Sequence, residues 1–251
     1  MIFTKKSHKS EAKRERLEVR GKNFFPLSSF LFPLFVLFTV NCSLLTVSHA
    51  ADNANTLTVA NLNGLKEGVI PPEWAIKEWK GKADIQIVKN GTVSVLRLRS
   101  VKTSTALYKE IDFDIKDYPF LNWRWNVAEI PIGGDVRNKD MDDQAAQIYV
   151  VFPKFPSQIR SRMLGYIWDT NAPVGSEVTS AKLSTTKYIV LKSGKDEIGK
   201  WFSEKRNVYE DYKRLFNEEP PKVGSIALMI DSDDTKTSAE SFFGDIYFSK
   251  E

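Results

Sequence analysis

Two clusters of aspartates are the densest concentration of reactive groups in this sequence. Asp135, Asp140, Asp142 and Asp143 lie within nine residues, and Asp231, Asp233 and Asp234 follow the apolar run Ile226–Ile230. Carboxylates this close repel one another unless they are solvated, paired with a cation such as Arg137 or Lys139, or bound to a metal. One reading makes them turn residues whose side chains cap backbone groups. The other makes Asp135, Asp142, Asp143, Asp231, Asp233 and Asp234 ligands of a structural calcium ion, which takes carboxylate oxygens from irregular loops. The regular spacing and closing glutamate of an EF-hand are missing.

A second set of residues suits recognition of polar rings. Asn122, Arg124 and Asn126 alternate with Leu121, Trp123, Trp125 and Val127, and Gln147 and Tyr149 alternate with Ala146, Ile148 and Val150. Tyr166 and Trp168 follow in Tyr-Ile-Trp. Aromatic faces stack on sugar rings, while guanidinium and amide groups bond hydroxyls or carboxylates. These seven side chains are therefore the expected lining of a ligand groove. The competing expectation is a buried polar layer, with Trp168 in the core.

What is missing is as informative. The only cysteine is Cys42, and the two histidines are His8 and His49. All three fall in an N-terminal segment with the pattern of a secretory signal peptide. Eight Lys/Arg lie in residues 1–22, a nearly continuous apolar run covers 24–47, and Ser48-His49-Ala50 places small residues where a cut after Ala50 needs them. An uncleaved anchor is the alternative, since the run is long enough to span a bilayer. A chain trimmed at Ala50 has no imidazole or thiol. That excludes a Ser-His-Asp triad, cysteine nucleophiles, disulfides and the usual zinc sites. The whole-chain net charge of +4 also belongs to the leader, because the remainder is slightly acidic. Nothing basic is left to follow a nucleic acid backbone.

The elements that must position these residues read as strands. Period-2 alternation or short apolar runs mark 85–89, 93–99, 105–113, 120–127, 144–152, 163–168, 186–192, 198–205, 225–230 and 242–248. Asn90-Gly91 reads as a hairpin turn, since both residues tolerate positive φ. One helix interrupts, opened by Asn207 with Glu210 three residues on, and closed before Pro220-Pro221. The expected fold is all-β with one or two short helices, an antiparallel β-sandwich. The expected organisation is a signal peptide at 1–50, a flexible tail at 51–64, and a single sandwich domain at 65–250.

Several motifs together resemble domain-of-unknown-function family 3047. They are Asn-Trp-Arg-Trp, Asp-Asp before Ala-Ala-Gln-Ile-Tyr-Val-Val-Phe, Tyr-Ile-Trp, Asn-Val-Tyr-Glu-Asp-Tyr, and Met-Ile-Asp-Ser-Asp-Asp-Thr ahead of Phe-Gly-Asp-Ile-Tyr-Phe. The resemblance covers residues 65–250 and implies an exported bacterial protein, periplasmic or secreted, but no activity. Pro-Pro-x-Trp and the closing Gly-Asp-Ile-Tyr-Phe also resemble galactose-binding-type jelly rolls, which implies a carbohydrate ligand. Three functions fit: a non-catalytic glycan-binding sandwich, a glycosidase or lyase using carboxylate, Tyr and Arg chemistry, or an interaction protein of the cell envelope. The lyase version would use Tyr149 or Tyr166 as base and Arg124 to hold a sugar carboxylate.

Overall fold

The computed structural model describes residues 55–156 and 160–251. The leader expected at 1–50 lies outside the described residues. Thirteen strands form two sheets, with one α-helix among the described residues. The strands are β1 (Thr56–Ala60), β2 (Ala75–Lys80), β3 (Asp84–Asn90), β4 (Val93–Val101), β5 (Ser104–Phe113), β6 (Phe120–Glu129) and β7 (Ala146–Phe152). They continue as β8 (Arg162–Asp169), β9 (Glu177–Thr179), β10 (Thr186–Ser193), β11 (Phe202–Asn207), β12 (Val223–Asp231) and β13 (Ser238–Ser249). The first sheet runs β11-β6-β13-β4-β3, with β1 also on β13; the second runs β2-β5-β12-β7-β8-β10-β9.

From β4 to β7 the chain crosses from one sheet to the other at each step, and β12 and β13 again lie in opposite sheets. Two four-stranded blocks result, β4-β13-β6-β11 facing β5-β12-β7-β8. That interleaving is the jelly-roll arrangement of an antiparallel sandwich. One pair departs from the antiparallel rule: β10 runs parallel to β8, because the β9 excursion returns the chain in the same direction.

The core lies where the inner faces meet. On β6 the residues Leu121, Trp123, Trp125 and Val127 point inward as the alternation requires. The Trp123 ring lies 5.5 Å from Tyr166, and Trp125 lies 6.2 Å from both Trp168 and Phe243. A buried tryptophan removes roughly 150–250 Å² from water, so this stack is a large share of what joins the sheets.

Helix α1 (Val208–Phe216) closes one end of the sandwich. Asn207 caps it by accepting the Glu210 N–H at 3.0 Å, and Asn217, at φ 51°, ends it in the left-handed region. Tyr212 packs on Phe152 at 4.5 Å. The helix is pinned through Asp211, which accepts from Tyr166 Oη at 2.9 Å, from Arg206 through two nitrogens, and from Arg214 at 2.8 Å.

Every strand expected from the sequence is present. Three were not anticipated. Strand β2 is a largely polar edge strand, β9 has three residues, and β1 falls in the segment expected to be a flexible tail. That expectation is corrected for Thr56–Ala60, which pairs with Ile246–Ser249 of β13. Val59 and Ala60 are buried there, which fixes the strand.

Candidate functional site

The second sheet turns one face to the core and the other away. Register places Tyr108, Ala227, Tyr149, Gly165 and Tyr188 in one row across the outward face of β5, β12, β7, β8 and β10. Tyrosines therefore alternate with small residues. The Tyr149 and Tyr188 rings lean toward each other over Gly165, edge to face, with centroids 6.0 Å apart. A Cβ on Gly165 would meet both rings at 2.9 Å, so only glycine permits this pairing. Val136, Ile167, Ala172 and Val190 form a small apolar cluster with the pair.

Beside the two phenols lies a polar cluster built from the ends of β7 and β12. The Tyr149 and Tyr188 hydroxyls are 3.5 Å apart, and Tyr149 donates to the Gln147 carbonyl. Gln147 Nε2 donates to Asp231 Oδ1 at 2.8 Å. Gln144 joins two carboxyls: its N–H donates to Asp231 Oδ1 at 2.8 Å and its Nε2 to Asp142 Oδ1 at 3.0 Å. Burial pushes the Asp142 carboxyl up to about 6, outweighing Gln144 and Lys182, and pushes Asp231, which also faces Asp143, well above the usual range. The same burial, with the nearby carboxylates, raises both phenols.

The two acidic loops meet here. Asp143 accepts the N–H groups of Asp234 at 3.2 Å and Thr235 at 2.6 Å. Carboxylate oxygens of Asp143, Asp233 and Asp234 lie within 4.8 Å of one another. Their charge is already met in part: Lys182 Nζ bonds Asp234 and stands 3.9 Å from Asp142, and Lys80 Nζ is 3.4 Å from Asp233. The convergence offers oxygen ligands of the type calcium takes, but an ion would have to displace two ammonium groups. Asp135 does not join them. It holds Arg137 through the backbone and guanidinium, while the neighbouring Val136 N–H bonds Asp169 at 2.9 Å. Gly134 lets this loop fold back on its own end, since a Cβ would be 2.5 Å from the Asp143 carbonyl.

The expected single groove is divided. Gln147 and Tyr149 belong to the cluster just described. Asn122, Arg124 and Asn126 lie on the outer face of the other sheet, on the far side of the core. There Arg124 sits over Trp201 at 5.2 Å, and Asn122 donates to Ser249 Oγ at 2.9 Å. Tyr166 and Trp168 are fully buried between the sheets, where Tyr166 bonds Asp211 and Trp168 donates to the Gly194 carbonyl at 3.0 Å. The reason is parity. Tyr166 is opposite Ile148 and Trp168 opposite Ala146, so both share the inward face. Arg124 therefore lies on the opposite side of the sandwich from Tyr149, and the anticipated lyase arrangement is not assembled. Sequence reasoning missed Tyr188, Gly165, Lys182 and Gln144. Tyr188 is an ordinary alternating strand residue, and only register across β7, β8 and β10 reveals its partner.

The fold and this site define a jelly-roll sandwich with a tyrosine-floored outer face ending in a carboxyl cluster. The family model described as "Protein of unknown function (DUF3047)" matches residues 72–247, and the chain belongs to that family. No curated protein matches it. Among solved structures, the family 11 carbohydrate-binding module of the Clostridium thermocellum cellulase Lic26A-Cel5E is similar at 9% identity and TM-score 0.43. That match covers 79% of this chain and 96% of the module. The family 30 module of Cel9D-Cel44B from the same organism is similar at 12% identity and TM-score 0.42, over 71% and 92%. A cellulase derived from Rhodothermus marinus Cel12A follows at 12% and 0.39, over 78% and 95%.

Proposed function

We propose that this chain is an exported, non-catalytic carbohydrate-binding sandwich whose glycan seat is the outward face of the seven-stranded sheet, beside Tyr149 and Tyr188. The row Tyr108, Ala227, Tyr149, Gly165, Tyr188 carries the reading. Ala227 leaves room for a ring to lie against the half-buried Tyr108, and the amides and carboxyls at the end of the row suit sugar hydroxyls. Export rests on the basic, apolar and small-residue pattern of residues 1–50. No helix among the described residues is long and apolar enough to cross a membrane.

The test is pull-down on insoluble polysaccharides and titration with soluble oligosaccharides. Tyr108→Ala, at a half-buried position, should weaken binding by roughly two- to tenfold, the worth of one aromatic contact. Arg124→Ala, on the opposite face, should leave it unchanged. Loss of binding in Arg124→Ala alone would place the seat on the wrong sheet.

A second reading, cleavage of a polysaccharide, draws on Asp142 and Asp231. Gln144 holds both, and a carboxyl titrating at about 6 retains its proton far better than an ordinary aspartate, as a general acid must. Release of reducing ends, abolished in Asp231→Asn, would establish it. Glycans that bind without being shortened would dismiss it.

A further inference from the structure

The tyrosine pair lies on a sheet face that no second sheet covers, yet Tyr149 and Tyr188 are only 7% and 6% exposed. Val136 and Ala172 account for part of that cover. Residues 180–185, which join β9 to β10, lead from this edge of the sheet to its acidic end. They form a self-contained turn: the Ser180 N–H donates to the Thr186 carbonyl at 3.0 Å, and the Thr186 N–H to Leu183 at 2.8 Å. Ser180 Oγ accepts the N–H groups of Lys182 and Leu183, both at 3.2 Å. The Ser180 hydroxyl stands near enough to the Tyr188 phenol to oppose part of the rise that burial causes there, so the turn reaches the pair. Its link to the far side is Lys182, whose ammonium meets Asp234 and Asp142 at the ends of β12 and β7. At the base of the turn, Thr186 is 1% exposed with a hydroxyl that has no partner, on the same face as Tyr188. A buried orphan hydroxyl is a cost that another arrangement of the turn, or a ligand beneath it, would remove.

We propose that residues 180–185 form a strap across the tyrosine pair, fastened by Lys182 to Asp142 and Asp234, that must unfasten to admit a glycan. This rests on reading the outward face as the glycan seat. The fastening is of the right strength for a device that opens. Lys182 is more than one-third exposed along its side chain, so water screens its pairs and they hold only weakly. Closed and open forms then differ little, and a ligand that binds only the open form shifts the balance.

The experiment is acetylation of tyrosines by N-acetylimidazole on the full chain without ligand, followed by mass spectrometry of each tyrosine. Lys182→Ala should speed modification of Tyr149 and Tyr188 about two- to fivefold, the size expected for a partly exposed ion pair. Lys182→Arg should stay close to the parent, and Tyr108 serves as the internal reference. Asp234→Asn gives a second route, and 1 M salt on the unaltered protein a third, since screening loosens such pairs. Unchanged modification of both tyrosines under all three conditions would overturn the strap. The two readings fail separately. Faster modification with no glycan bound by any variant keeps the strap and sinks the glycan seat. Glycan binding with unchanged modification does the reverse.

Discussion

Asp142 shows how one side chain records its surroundings. Its carboxyl is ordinarily half-protonated at 3.8 and here at about 6, chiefly through burial. A folded pKa above the unfolded one means that the folded protein holds the proton more tightly. Its contribution to stability is therefore fully present below about pH 3.8 and lost as pH rises through about 6. Asp142→Asn should flatten the fall in melting temperature between pH 4 and 6, measured by calorimetry. An unaltered slope would show that Asp142 is ordinary. Glu218 has the opposite sign. Burial alone would raise it, but Lys154, Tyr212 and Arg162 together bring it down to about 2, so its contribution is present above about 4.5 and lost as pH falls through about 2. The residue scale is also where the sequence was least legible. Asp142, Asp143, Asp231, Asp233 and Asp234 were recognised as two clusters that could meet, and they do. Asp135 has the same chemistry but is taken by Arg137, one of the two neighbouring cations the sequence offered as partners; which of the acids it would take was not legible.

Elements were legible wherever burial imposes a period. Strand β6 announces its inward face through Leu121, Trp123, Trp125 and Val127, and the capping of α1 by Asn207 follows from its offset to Glu210. Strands β2 and β9 were illegible because an edge strand exposed on both sides has no period to show. The anchor of α1 makes its own prediction. Asp211 is 9% exposed in its side chain and faces two guanidinium groups and a phenol. Asp211→Ala leaves the Tyr166 hydroxyl without its acceptor and takes one carboxylate from Arg206 and Arg214. Since Arg206 is partly solvated and Arg214 keeps Glu177, the loss should be about 1–3 kcal/mol. Urea unfolding should show that loss. Tyr166→Phe removes one neutral donor to a carboxylate and should cost roughly half as much or less.

For the whole molecule, the tyrosine face has an acidic end. At the tyrosine face, five carboxyls (Asp142, Asp143, Asp231, Asp233 and Asp234) face the ammonium groups of Lys182 and Lys80. A glycan bearing carboxylates would approach like charge, so uronate oligomers should bind more weakly than neutral ones of equal length at pH 7. The gap should narrow with added salt. Equal affinity in low salt would remove the acids from the binding surface. The division of the expected groove into two faces comes from the same geometry. Each strand's parity could be read from its own residues, but which sheet β6 and β7 join depends on pairings between distant segments, such as β6 with β13 and β7 with β12.

The position of β13 has a consequence in time. This last strand lies in the middle of its sheet, hydrogen-bonded to β1, β4 and β6. Until its twelve residues arrive, β4 and β6 have a gap between them, and the Trp125–Phe243 contact cannot form. Bringing such distant segments together is slow. Assembly of this sheet therefore waits for β13, and a polypeptide lacking residues 238–251 should show no cooperative melting transition. A nascent chain of this design remains threadable until β13 has been made.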